Sequence, residues 1–261
     1  MASRPHPPPR PHGALDEVFP GVFFVTGTMR FPGPVPVLIS RNMTVLRDGS
    51  SLTVVNSVRL DDEGLAALDA LGRVEHVVRL AGFHGADDPF FKERYGATVW
   101  NVGDQPYAAG FNPRPPPDQR YFQPDQTVND GDELPGGGRV IAFSSVAAGE
   151  GLLHLDRDGG LLVAGDVLQN WAEPDGYFNT LGRWSLRAMG FVKPCNVGPG
   201  WLKQMKPAAP ELRRLLDLPF EHLLPAHGTP VVGQASVRYR PALEAAVAWA
   251  EKDGPPPAGG G

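Results

Sequence analysis

The chain has 261 residues, 41% of them hydrophobic, which suits one large α/β domain because single cores stop growing at about 250–300 residues. A net charge of −5 without a Lys/Arg stripe excludes a nucleic-acid face, and the single cysteine, Cys195, excludes an internal disulfide and a cysteine-rich zinc site. No apolar run approaches the ~18 residues of a membrane span and no h-region opens the chain, so a cytoplasmic protein without a membrane partner is expected.

"MASRPHPPPRPHG" at the start and "GPPPAGGG" at the end are too rich in Pro and Gly to bury apolar surface. They predict disordered tails over 1–15 and 253–261 around a domain spanning 16–252. "RPHPPPRP" also fits a polyproline ligand, but a solvated tail is the plainer reading, and His6 and His12 fall with it.

From Gly21, "GVFFVTG" reads as a strand, and "MTVLRDGSSLTVVNS" as a hairpin around Asp-Gly-Ser. "LDDEGLAALDALGR" is an amphipathic helix, with acidic residues at its positive end, Leu65, Leu68 and Leu71 on one face, and Gly72 as its stop. Strand "HVVRLA", a loop, a helix around "PFFKERYG" and strand "ATVWN" follow. Residues 103–125 read as a long irregular segment. Strands then return around Gly-rich turns in "DGDELPGGGRVIAFSS" and "GLLHLDRDGGLLVAGDVL". A second irregular stretch, 171–200, is rich in aromatic residues: Trp171, Tyr177, Phe178 and Trp184 either line a pocket or pack a lid or dimer contact. "PAAPELRRLLDLP" is a helix, "EHLLPAHGTPVVG" a strand and turn, and "RPALEAAVAWAEK" the last helix.

Asn56, His84, Asp87, Asp166 and His227 all stand at the ends of predicted strands. Such ends gather at one edge of a layered α/β fold, where sites are assembled. His and Asp suit zinc, iron or manganese, and a catalytic ion commonly takes three protein ligands. His84, Asp166 and His227 supply three and Asp87 a fourth. Each alone reads as a hydrogen-bonded structural residue, and only their joint placement raises a metal site. Glu150, in "AAGEG", is a candidate general base, with capping of its turn as the plainer role. No Gly-x-Ser-x-Gly elbow, dinucleotide fingerprint or Walker loop occurs.

In order and spacing, "GVFFVTG", "NMTVLRDGSSLTVVNS", "DGDELPGG", "GGLLVAGDVL" and "LLPAHGTPV" resemble the metallo-β-lactamase fold superfamily over roughly Asp16 to Glu251. The resemblance implies a four-layer αββα sandwich of two mixed sheets, with one or two metal ions at the edge between them and hydrolysis of a small substrate. The family's His-x-His-x-Asp-His motif is altered. Gly82 stands at the first His, His84 at the second, Ala86 at the Asp and Asp87 at the last His, with Asp88 a competitor for that place. The family's next His falls near Val146, with no histidine there, and Asn56 stands at an Asp that braces the site.

The resemblance therefore implies a metal-dependent hydrolase-like protein with an altered site. One divalent ion (zinc, manganese or iron) is expected on His84, Asp87, Asp166 and His227, with Asp87 and Glu150 as catalytic candidates and an unknown small organic substrate. The alternative is a catalytically silent member that binds no ion and takes a small molecule or a partner protein. Oligomeric state is not legible.

Overall fold

The computed structural model describes residues 6–31, 33–108, 110, 112 and 114–253. The chain opens with β1 (Asp16–Phe19), β2 (Val22–Arg30), β3 (Leu38–Asp48) and β4 (Ser51–Val55). It continues through α1 (Asp62–Leu71), β5 (Arg73–Arg79), α2 (Asp88–Tyr95), β6 (Thr98–Val102), and the short β7 (Tyr107–Ala108), β8 (Arg120–Phe122) and β9 (Gln126–Val128). The second half holds β10 (Arg139–Phe143), β11 (Glu150–Leu155), β12 (Leu161–Ala164), β13 (Leu168–Gln169), α3 (Thr180–Ala188) and β14 (Asn196–Val197). It closes with α4 (Pro199–Met205), α5 (Ala209–Asp217), β15 (His222–Leu224) and α6 (Ala235–Asp253).

Seven strands form one mixed sheet in the order β1-β2-β3-β4-β5-β6-β9, and four form a second in the order β10-β11-β12-β15. Period-two alternation splits each strand between two cores. Val22, Phe24, Val55 and Val78 of the first sheet meet Leu153, Leu161, Val163 and Leu224 of the second in the layer between them. The alternate residues Phe23, Val25, Val54 and Val77 face outward onto Leu65 and Leu68 of α1 and Phe90 and Phe91 of α2. On the far side, Leu152, Leu162 and Leu223 pack under Trp201, Leu212 and Leu243 of α4, α5 and α6. The result is the expected αββα sandwich. Each fully buried Leu or Val contributes about 1.5–3 kcal/mol.

The helices start where their sequences direct. Asp61 caps α1 by accepting from the Gly64 N–H at 2.9 Å, and Asn179 caps α3 by accepting from the Gly182 N–H at 2.8 Å. Helix α3 occupies part of the stretch read as irregular. Another difference lies at the N-terminus, where residues up to 15 were expected to be unstructured. The Gly13 N–H donates to the Thr26 carbonyl and the Thr28 N–H to the Pro11 carbonyl, both at 2.8 Å. A Pro-rich run can make this edge because the ladder uses the Pro11 carbonyl, leaving its missing N–H irrelevant. The other tail expectations, at 1–5 and 254–261, lie outside the described residues. Among the described residues no helix is long and apolar enough to cross a membrane.

Candidate metal centre

Strands β4, β5, β6 and β9 run parallel, as do β12 and β15, and their carboxyl ends meet at one edge of the sandwich. Asn56, just past β4 with φ 54°, ties this edge together. Its amide donates to the Ala164 carbonyl and its side-chain carbonyl accepts from the Leu80 N–H, both at 3.1 Å, so the ends of β5 and β12 are pinned to each other.

His84, Asp166 and His227 come together there, all buried. His84 Nε2 lies 3.2 Å from His227 Nε2 and 3.4 Å from Asp166 Oδ1, and His227 Nε2 lies 3.0 Å from the same oxygen. Zinc bonds of about 2.0–2.1 Å in tetrahedral geometry set neighbouring ligand atoms roughly 3.3–3.4 Å apart. The three atoms thus already have the spacing of ligands around one ion. Two further observations support the fit. His227 Nδ1 contacts the Ser40 carbonyl at 3.0 Å, which can only accept, so Nδ1 carries a proton and Nε2 is the ring atom turned to Asp166. Asp166 Oδ2 is buried without a hydrogen-bond partner among the described residues. Two imidazole nitrogens and an anionic oxygen this close require a shared proton or a cation between them.

The surroundings tune these groups. Burial pushes the Asp166 carboxyl up, but the charge and hydrogen bonds of the two imidazoles outweigh it and hold the group well below the usual carboxylate range. Burial also lowers His84, with Asp166 opposing, so its ring favours the neutral form a metal ligand needs.

The other residues singled out in the sequence have different partners. Asp87 stands outside the trio. Its Oδ2 accepts from an Arg41 guanidinium N–H and, at 2.9 Å, from the Arg59 backbone N–H, so that oxygen is engaged by these groups. Asp88 is further withdrawn, fully buried beneath the Ser57 and Tyr107 hydroxyls, with burial raising its pKa. Glu150, the first residue of β11, accepts from the Asp166 N–H at 2.6 Å and the Gly82 N–H at 3.2 Å. Burial and the nearby Asp166 charge push it well above the ordinary range. It therefore braces the backbone that carries Asp166 and the loop at Gly82.

A side chain at Gly82 would be tightly placed, its neighbours having to give by a few tenths of an ångström. A Cβ there would lie 3.1 Å from Ala148 Cβ, 3.2 Å from the Gly149 carbonyl and 3.4 Å from Met205 Cε. Val146 packs with the core under α4 to α6.

The trio opens on a cleft of about 60 Å³ lined by Phe31, Phe83, Trp171, Phe191 and Trp201. Of the aromatic loop, Trp171 serves this wall: its indole N–H donates to Ser40 Oγ at 2.8 Å and its ring lies 4.7 Å from that of His227. Phe178 packs on Trp171 from behind, and Trp184 is 71% exposed. Sequence reasoning missed β3 as a support. Ser40 orients His227, and Asn42 donates to the Pro225 carbonyl at 2.9 Å and the Gly228 carbonyl at 2.6 Å, clamping the His227 turn to the first sheet. The signal was polar Ser40, Asn42 and Thr44 alternating through an otherwise apolar strand.

No protein-family model matches the chain, and no curated protein does. Solved structures do. DIM-1 metallo-β-lactamase exposed to ceftazidime superposes with a TM-score of 0.59 at 13% identity, covering 91% of this chain and 99% of that one. FIM-1 metallo-β-lactamase from Pseudomonas aeruginosa, in its mono-zinc form, gives 0.56 at 14% identity, covering 97% and 99%. A metallo-β-lactamase from Hirschia baltica gives 0.52 at 13% identity, covering 93% and 98%. At this identity the likeness establishes the fold: the chain has the metallo-β-lactamase fold.

Proposed function

We propose that this chain is a metal-dependent hydrolase-like protein with one divalent ion held by His84, Asp166 and His227, acting on a small organic substrate. The observation that carries it is the convergence of three buried ligand atoms at 3.0–3.4 Å, with His227 Nε2 held toward Asp166 by the contact of Nδ1 with the Ser40 carbonyl. With Asp87 engaged elsewhere, the donor set is two imidazoles and one carboxylate. That set is richer in nitrogen than the four-ligand one expected from the sequence, whose carboxylates suit a harder ion such as manganese or iron, and it fits zinc or iron. A bound ion of this kind supplies Lewis-acid activation of water and charge stabilisation at an oxyanion.

The protein's own residues do the rest. Ser40 and Asn42 hold the His227 turn, Glu150 and Asn56 fix the strand ends that carry Asp166 and His84, and the aromatic wall excludes water and receives an apolar part of the substrate. A silent binding protein is the second reading. Ala86 stands where the resembled motif carries its Asp, and that observation favours it.

The deciding experiment is metal content by plasma mass spectrometry on protein purified without chelator or nickel. About one equivalent of zinc or iron is expected, lost in both His227→Ala and Asp166→Ala. No ion after incubation with added metal, or an ion retained by both variants, overturns the hydrolase reading in favour of the silent one.

A further inference from the structure

Beside the trio lies a second and much larger groove, about 1070 Å³, to which His84 and Asp87 also contribute. In a chain of net charge −5 its walls carry the opposite sign: Arg10, Arg30, Arg41, Arg59 and Lys92 line it, against Asp87 and Glu93. Such a concentration of one sign in a concave, low-dielectric site focuses the field on ligands of the other.

Two of these cations hold N–H groups in reserve. Arg41 is only 12% exposed at its side chain and uses one guanidinium nitrogen on Asp87, while its Nε is buried with no hydrogen-bond partner among the described residues. Arg59 is packed with its Cζ 3.1 Å from the Phe90 ring centre, and its Nε and Nη1 are buried and equally unpartnered. A buried N–H left unpaired costs free energy, and the guanidinium fork matches the two oxygens of a carboxylate or phosphate. Burial works against the Arg59 charge and Asp87 offsets only part of this, leaving a cation that a further anion would stabilise. Asp87 holds the Arg41 guanidinium and the Arg59 backbone N–H, and one carboxylate against two guanidinium groups leaves the net charge positive.

We infer that Arg41 and Arg59 form an anion-recognition subsite, so that the substrate carries a carboxylate or phosphate group seated on the arginines while its reacting group reaches His84. The inference rests on the trio being the reacting centre, and its test is kept separate from that reading. Arg59 is the residue to change, because among the described residues its Nε and Nη1 hold no hydrogen bond, whereas removing Arg41 would strand buried Asp87.

Isothermal titration calorimetry of the full chain with inorganic phosphate and, separately, with malonate distinguishes the two anion sources. At least one should bind, with affinity reduced about tenfold or more in Arg59→Gln and by less in Arg59→Lys, while metal content is unchanged. If Arg59→Gln fails to fold, Arg59→Lys decides alone, since losing the fork while keeping the charge should still weaken binding. Equal affinity in wild type and variant, or binding of neither anion, overturns the subsite and leaves the metal centre standing. Arg59-dependent binding by a protein that holds no metal keeps the subsite and removes the hydrolase.

Discussion

His84 and His227 present the same ring atom to Asp166 but are prepared by different means. His227 is oriented by a carbonyl, Ser40, whereas His84 Nδ1 is buried without a partner among the described residues. Its neutrality comes from burial, which lowers its pKa against the pull of Asp166. A group with a lowered folded pKa releases protons on folding. The linked stability of His84 is therefore in place above about pH 6.5 and is lost as the pH falls below it. Asp166 has the same sign at lower pH, its contribution being present above about 3.9 and lost in acid. In chelator-treated protein, ¹⁵N NMR of the imidazoles, assigned with His84→Gln, should show His84 less protonated at any pH near 6.5 than an unperturbed ring. A His84 as charged as a free imidazole, or more so, would contradict the assigned environment.

Among elements, the turn after β15 is the most exacting. Gly228 has φ 92°, and a Cβ there would lie 2.0 Å from the Asn170 carbonyl, which receives the Thr229 N–H in the same turn. Gly228→Ala should cost about 2 kcal/mol or more through left-handed strain and the clash, and should release bound metal by displacing His227. Urea unfolding and metal content read the two effects, and an unchanged midpoint would show that the turn tolerates a side chain. The glycine, the strand run and the histidine of "LLPAHGTPV" were all legible in sequence, as were Asp166 after "LLVAG" and the Asp61 cap, since each is a local signal. The commitment of Asp87 was not legible, because its partner Arg41 lies 46 residues away on another strand. The same holds for Glu150, whose two backbone donors, Gly82 and Asp166, are supplied by loops from different sheets. Residue type shows that a carboxylate is present, and only tertiary packing shows which donors have claimed it.

For the molecule as a whole, the trio straddles the two sheets. His84 follows β5 of the seven-stranded sheet, while Asp166 and His227 follow β12 and β15 of the four-stranded one. An ion shared among them couples the halves and stabilises only the assembled sandwich. Zinc at about a hundred times its dissociation constant contributes about 2.7 kcal/mol, which for a chain of this size raises Tm by roughly 5–10 °C. Thermal unfolding with zinc and then with chelator should show that shift in wild type and its disappearance in Asp166→Ala. A zinc response of equal size in the variant would place the ion elsewhere.

The packing of Trp171 on His227, ring centres 4.7 Å apart, has an optical corollary. The imidazole lies at a 43° tilt against the indole, so an ion bound to His227 alters the surroundings of one of five tryptophans. Emission that changes on adding zinc in wild type, and stays flat in Trp171→Phe, would allow the centre to be followed in real time without a dye and before any substrate is known.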